Sequence, residues 1–368
     1  MRRGIAVWAM VLMAAACSGE ETASFAELSR EAAAAREADR VDDAIQLYRR
    51  AVAMEPDWKE GLWFLGTLLY DRERFAEARD AMRRFVADEP DAGPGWVILG
   101  MSEFQTREYA RALPHLRRGL AQGLEGRDEM KRSAWYFTGV LLTRFEHFDQ
   151  SMEVLLIPRL TGAREDRLTD AVGVAALRMP LLPGEIPADR RDLIRRAGEA
   201  AMAYASHDEN RAAVLLKALT VDYPKEPGVH FLYGDLLMKQ KPEEGIQEMR
   251  RELEITPDHV AARIELASEL VREGKAEDAL PLAREAVDLD AGAFDAHLTL
   301  GQALVANGDF DAGIREMETA RDVAPRVSRV RWALARAYFE AGRKADGDRE
   351  AAEMERLRAE ERKNEGSR

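Results

Sequence analysis

Hydrophobic positions between residues 59 and 92 form two helical stripes separated by a short charged stretch. The first stripe contains Leu62, Leu65, Leu68 and Leu69, and the second contains Ala78, Met82 and Phe85. The charged residues 71–74 interrupt the pattern, and Pro90 closes it because proline lacks an N–H group and disfavours helical geometry in the preceding residue. The pattern predicts a helix, a turn, a second helix and a second turn, with one apolar face on each helix.

Small residues and prolines recur along the chain at a spacing of 34 residues. Pairs at this spacing are Pro56 and Pro90, Gly66 and Gly100, Ala78 and Ala112, Ala267 and Gly301, and Ala279 and Gly313. A fixed period of this size indicates one helix pair stacked many times. Such a stack presents an extended surface rather than a pocket built around a catalyst.

This pattern resembles the tetratricopeptide repeat (TPR), whose two helices cross closely at small residues. Counted from the third residue after each closing proline position, position 8 holds Ala32, Gly66, Gly100, Gly139, Ala200, Gly234, Ala267, Gly301 and Ala335. Position 20 holds Ala44, Ala78, Ala112, Ser151, Ala212, Gly245, Ala279, Gly313 and Gly347. The resemblance implies an all-α fold, a right-handed α-solenoid of about nine helix–turn–helix units with an irregular insertion near the middle.

The chain departs from the family pattern at position 4, which is usually bulky and apolar. Early units have Leu62, Trp96 and Trp135 there, whereas later units have Arg196, His230, Arg263, His297 and Arg331. His230 and His297 occupy equivalent repeat positions, so we interpret them as packing residues rather than metal ligands.

The repeat is interrupted near the middle of the chain. We expect an N-terminal TPR block over 25–165 with a degenerate fourth unit, a helix and proline-rich connecting segment over 166–192, a C-terminal TPR block over 193–344, and a charged capping helix and tail over 345–368. The connecting segment is interpreted as an insertion that joins the two blocks. A hinge, or a loop that folds into the groove, is the alternative.

The first residues have the features of an export signal. Two arginines precede a short apolar run that ends in three alanines and Cys17, which predicts a signal peptide over 1–16 and a tether over 17–24. The site resembles a bacterial lipobox, although Ala14 stands where leucine is usual. This resemblance implies a lipid on Cys17 and a protein exported and anchored at the cell envelope, at the outer membrane or the periplasmic face rather than in the cytoplasm. A plain signal peptide is the alternative.

The composition argues against nucleic-acid binding, and no motif indicates catalysis. The net charge is −13 with a pI of about 5.2, whereas a protein that neutralises phosphates needs a basic face. The six histidines do not pair at metal-ligand spacing, and no glycine-rich phosphate loop or nucleophile elbow is present. We therefore expect no enzyme activity, no cofactor, no metal and no small-molecule substrate. An enzyme with its site near residues 185–192 would lack a nucleophile or a metal cluster.

The TPR resemblance also indicates where a partner would bind. In that family the first helix of each unit lines the concave groove, mainly through positions 5, 9, 12 and 13. The candidate groove residues are Trp63, Thr67, Tyr70, Met101, Phe104, Tyr136, Phe231, Trp332 and Phe339, and the best patch combines Trp63, Tyr70, Phe104 and Tyr136. Packing between units is the alternative interpretation of Trp63 and Tyr136.

The sequence thus predicts a non-catalytic scaffold or adaptor at the bacterial cell envelope, similar to bacterial TPR lipoproteins. It would bind a partner peptide or protein in its concave groove. Ser29 and Ala33 stand where chaperone-binding TPR proteins carry the Lys/Asn clamp for a terminal carboxylate, so that kind of partner is not expected. A self-assembling structural solenoid in an envelope secretion or export complex is the alternative function.

Overall fold

The computed structural model describes residues 23–157 and 165–365, and these contain nineteen α-helices and no β-strand. The all-α prediction is therefore confirmed. The proposed signal peptide and Cys17 lie outside the described residues. None of the described helices combines the length and the apolar run that a membrane crossing needs. The described residues divide into two compact units, the first ending at Ala134 and the second beginning at Trp135.

The first unit is built from helical hairpins. Its helices are α1 (Phe25–Glu37), α2 (Val41–Met54), α3 (Lys59–Asp71), α4 (Phe75–Asp88), α5 (Gly93–Gln105) and α6 (Tyr109–Gln122). Helices α1 and α2, α3 and α4, and α5 and α6 pack as pairs, and each pair also contacts the next one. The division between the units falls within α7 (Asp128–Arg144).

The second unit continues with the same kind of hairpin. It contains α8 (Phe148–Leu155), α9 (Glu165–Ala176), α10 (Arg191–Ala205), α11 (Glu209–Asp222), α12 (Val229–Gln240), α13 (Pro242–Ile255), α14 (Val260–Arg272), α15 (Ala276–Leu289), α16 (Phe294–Ala306), α17 (Phe310–Val323), α18 (Ser328–Glu340) and α19 (Lys344–Glu365). Successive first helices contact one another, α12 with α14, α14 with α16, and α16 with α18. These four helices therefore form one continuous layer of the unit.

Small residues at positions 8 and 20 let the two helices of a hairpin approach closely. A β-carbon on Gly301 would lie 2.6 Å from Cγ of Met317, and one on Gly100 would lie 2.7 Å from Cγ of Leu116. Real side-chain atoms do not pack at such distances, so a larger residue would push the helices apart.

Among the described residues, helix α9 packs mainly on α10 and also contacts α8. Gly173 on α9 and Gly198 on α10 mark the crossing, because a β-carbon at either position would overlap a backbone carbonyl oxygen of the other helix. The sequence predicts this helix over 167–179, but α9 ends at Ala176, since Arg178 adopts a left-handed conformation with φ of 53°. Two short 3-10 helices, Pro183–Glu185 and Ala188–Arg190, then lead into α10.

The last helix covers the end of the second unit. Helix α19 packs on α18, its residues Met354 and Leu357 are buried, and Glu350 accepts a 2.7 Å hydrogen bond from Nη1 of Arg331. Most of the other described side chains of α19 are charged and lie at least partly exposed, a composition that suits the outer face of a terminal repeat.

Candidate binding groove

The second unit contains an open groove of about 710 Å³ along its layer of first helices. Helices α12, α14, α16 and α18 form one side of the groove, and residues of α8, α9 and α10 form the other. Aromatic and aliphatic side chains share this surface with a small set of charged ones. Pockets that bind ligands commonly combine these properties.

The apolar floor of the groove comes from one position of the repeat. Position 5 of four successive repeats lines the groove, and it holds Phe231, Ile264, Leu298 and Trp332. Trp332 is 46% exposed at the end of this row, and it also lines a second cavity of about 450 Å³. Each of these helix pairs thus contributes one apolar side chain to a continuous track.

Carboxylates stand beside this apolar row on three successive first helices. Asp235 lies on α12, Glu265 on α14 and Asp295 on α16, and burial raises the pKa of each carboxyl group above its ordinary value. These carboxyl groups stay in contact with water, but the protein atoms that line the groove replace part of their hydration shell. The neighbouring charges of Asp235 and Asp295 raise the pKa of Glu265 further.

The basic groups of the groove are already engaged with acidic ones. Nη1 of Arg178 lies 2.9 Å from Oδ1 of Asp149, and Arg329 forms an ion pair with Asp295. Among the described residues, no cationic side chain lies within 4.0 Å of the carboxylates of Asp235 and Glu265. Five carboxylates and two guanidinium groups line the groove, which gives it a net charge of −3 when all are ionised.

A buried carboxylate holds the floor residue Phe231 in place. Glu252 on α13 has no exposed surface, and it accepts hydrogen bonds from the backbone N–H groups of Gly228 at 2.8 Å and Phe231 at 3.2 Å. It therefore caps the beginning of α12, where Gly228 has no side chain to do so. The ring of His259 packs 4.6 Å from that of Phe231, and burial lowers the pKa of this histidine.

The aromatic patch favoured by the sequence is divided between the two units. Trp63 packs on Phe85 with ring centroids 5.5 Å apart, and Tyr70 packs on Phe75 at 5.3 Å. Phe104 packs on Tyr109 at 5.5 Å, and Thr67 donates a hydrogen bond to the carbonyl of Phe64 at 3.0 Å. Each of the three ring contacts joins the two helices of one hairpin in the first unit, and the hydrogen bond lies within α3. Partner binding by these residues stays a prediction.

Three further candidates lie in different surroundings. Met101 is only 6% exposed in the core of the first unit, which leaves its side chain little surface for a partner. Tyr136 belongs to the second unit and packs edge-on against Phe137 at 5.5 Å. Phe339 is exposed but lies outside the groove, against the backbone of α19 at Gly347.

The position-4 histidines are engaged in contacts between the helices of a hairpin. Nδ1 of His230 lies 2.6 Å from Oε2 of Glu248, and its Nε2 lies 3.1 Å from the carbonyl oxygen of Pro224. His297 repeats this arrangement with Glu316 and Ala291. In the part of the chain that the structure describes, no group of three or more His, Cys, Asp or Glu residues is arranged to hold a metal ion.

Two parts of the sequence match known repeats. Sequence models of the tetratricopeptide repeat match residues 30–95 and residues 270–331. The chain is a tetratricopeptide-repeat protein. The second match covers parts of α14 and α18 and all of α15, α16 and α17, so the recognised repeats of this TPR protein include the groove residues of α16, Leu298 among them. The family predicted from the small-residue columns is confirmed.

Solved structures of MamA are similar to part of the chain. One crystal structure of MamA is 17% identical over 45% of this chain and 96% of its own, with a TM-score of 0.40. Residues 41 to the end of MamA from Desulfovibrio magneticus RS-1 are 20% identical over 46% of this chain and 94% of their own, with a TM-score of 0.39. A comparison with curated protein sequences gives no match.

Proposed function

We propose that this TPR protein is a non-catalytic adaptor that binds a peptide segment of a partner protein in the groove of its second unit. The observation that carries the proposal is the row of position-5 side chains, which places Phe231, Ile264, Leu298 and Trp332 along one track. A track of this kind suits an extended or helical segment, because such a segment presents side chains at regular intervals. Tetratricopeptide repeats generally serve protein–protein interaction.

The proposed place of action is the bacterial cell envelope. Its support is the sequence around Cys17, which resembles a lipobox after a short signal peptide. A lipid on this cysteine would tether the repeats to a membrane, and the adaptor would then hold its partner there. A single lipid chain gives marginal membrane binding, so stable attachment needs more than one acyl chain.

A photo-crosslinking experiment in the native cells tests the proposed binding groove. Trp332 is replaced with p-benzoylphenylalanine, which keeps an aromatic ring in the groove. The control places the same reagent at Val214, which is 69% exposed on α11. We expect a protein partner to crosslink at position 332 and not at position 214. Crosslinking of the same proteins at both positions would contradict the groove.

The anchor is tested by fractionating cells that carry Cys17→Ser. We expect this variant to leave the membrane fraction, and unchanged fractionation would contradict lipid attachment at Cys17. If crosslinking at position 332 captures only copies of this chain, the protein self-assembles instead of binding a different partner. Light scattering of the purified protein at increasing concentration would then show growing oligomers.

A further inference from the structure

We propose that the groove of the second unit selects a basic amphipathic segment, whose apolar side chains lie along the position-5 row and whose Lys or Arg side chains pair with Asp235 and Glu265. This inference rests on the proposed function and specifies the chemistry of the partner. The observation behind it is the acidic lining of the groove, to which a cationic segment is complementary in charge.

Asp235 and Glu265 are groove carboxylates that no ion pair of the described residues neutralises, whereas Asp149 and Asp295 are each paired with an arginine. Asp235 interacts unfavourably with Asp149, and Glu265 interacts unfavourably with Asp235 and Asp295. Lys239 offsets part of this repulsion from the end of α12, but its ammonium group donates a hydrogen bond to the hydroxyl of Tyr204. Arg329 also offsets part of the repulsion at Glu265, but it is paired with Asp295. A cation supplied by a partner would therefore meet two carboxylates that lack an ion pair among the described residues.

The same arrangement disfavours an acidic partner. Arg178 and Arg329 are the two guanidinium groups in the lining, and both are paired with aspartates of the groove. An acidic segment would have to break these ion pairs and would bring more negative charge beside Asp235 and Glu265. Charge of like sign placed together across an interface is a common means of rejecting a partner.

The apolar row requires more of the partner than positive charge. Phe231 and Trp332 expose aromatic surface to the groove, and burial of such surface dominates the free energy of binding at protein interfaces. A polyamine or an oligolysine would leave this row uncovered. A segment that alternates apolar and basic side chains would cover the row and meet the carboxylates beside it.

Selection from a random peptide library displayed on phage tests the inference with the full chain. Peptides are selected on the purified protein and counter-selected on a Phe231→Ala/Trp332→Ala variant whose helical content matches that of the parent. We expect the surviving peptides to be enriched in Lys and Arg interspersed with apolar residues. One enriched peptide is then synthesised, and its affinity is measured by fluorescence anisotropy.

Two double variants separate groove charge from overall charge. Asp235→Asn/Glu265→Gln removes two charges from the groove, whereas Glu277→Gln/Asp278→Asn removes two charges from exposed positions of α15 outside the groove. We expect the groove variant to bind the peptide about tenfold more weakly and the control variant to bind it nearly as well as the parent. The affinity of the parent should also fall with rising salt, because salt screens exposed charges.

The outcomes distinguish failure of this inference from failure of the proposed function. If the selected peptides are neutral or acidic but lose affinity in the Phe231→Ala/Trp332→Ala variant, the groove binds peptides and the charge selection is wrong. If both double charge variants weaken binding equally, the overall charge of the protein is responsible and the inference is again wrong. If no peptide survives counter-selection, the groove is not a peptide site and the proposed function itself is overturned.

Discussion

Gly301 on α16 and Gly313 on α17 face each other so closely that a β-carbon on either residue would lie 2.7 Å from the carbonyl oxygen of the other. These residues are position 8 and position 20 of one repeat, so the two small columns of the sequence correspond to one helix crossing. The crossing sets the spacing within the hairpin and with it the placement of Leu298, which lines the groove from α16.

Replacing Gly301 with Leu should destabilise the second unit. The larger side chain would force α16 and α17 apart, and overpacking of a tight core commonly costs about 1–3 kcal/mol. Thermal unfolding followed by circular dichroism measures the loss, and hydrogen exchange should localise it to α16 and α17. Gly184→Ala is the matched control, because a β-carbon there meets nothing within 4 Å. Equal melting of the Gly301→Leu variant and the parent protein would contradict this account of the crossing.

The sequence was sufficient to predict the repeat because its physical cause is local. The two helices of a hairpin cross where small residues stand twelve positions apart in the sequence, as Gly301 and Gly313 do. The residues of the apolar groove floor could also be predicted, since the repeat fixes which residue stands at position 5 of each helix pair. Phe231 and Trp332 lie in the groove for this reason.

The carboxylates of the groove could not be assigned in the same way. Asp235 occupies position 9, but Glu265 occupies position 6 and Asp295 position 2, and these two lie outside the positions that line the groove in the family. Their proximity depends on how successive hairpins are rotated against one another. The far wall is built by Phe148 and Arg178 near the aperiodic segment, where the sequence offers no repeat phase to follow. An acidic residue on each of three successive first helices is the signal that could have indicated the cluster.

Loss of the buried Glu252 carboxylate should weaken both the fold and the groove. In Glu252→Ala, the backbone N–H groups of Gly228 and Phe231 lose their acceptor in a buried place, at a cost of about 1–3 kcal/mol for each unsatisfied donor. Glu252→Gln keeps one acceptor oxygen and should lose less. Urea unfolding measures the order of stability, with Glu254→Ala on the exposed side of α13 as the control. If the alanine and glutamine variants are equally stable, the capping bonds contribute nothing.

A glycine in the turn between α3 and α4 should stabilise the first unit. Glu73 adopts a left-handed conformation there with φ of 57°, which costs a residue with a β-carbon about 1–2 kcal/mol. Part of this gain is offset because glycine is more flexible in the unfolded chain, so we expect Glu73→Gly to add about 0.5–1 kcal/mol. Glu60→Gly in the first turn of α3 should instead lower the free energy of unfolding by about 1 kcal/mol. Differential scanning calorimetry of the two variants should therefore give shifts of opposite sign.

The carboxylates that we assign to partner binding should also make the free protein less stable at neutral pH. Burial raises the pKa of Asp235 above the ordinary value of 3.8, so the folded state holds more protons than the unfolded state in the interval above 3.8. Stability contributed by this group is therefore present at low pH and is lost as the pH rises through the raised pKa of the folded state. Asp149 adds to the effect, and Lys239 opposes it.

Asp235→Asn removes this titration and should raise the free energy of unfolding at neutral pH by about 0.5–2 kcal/mol, the usual range for relief of unfavourable surface charge. The gain should shrink as the pH falls and vanish below 3.8, where the parent carboxyl is protonated in both states. Melting temperatures across this pH range measure it, with Asp278→Asn on α15 as the control that leaves the groove unchanged. The same substitution should weaken binding of a basic peptide, so stability and affinity should change in opposite directions. A variant that loses stability at neutral pH would show that the Asp235 charge supports the fold, and the groove would then have no unfavourable charge for a partner to relieve.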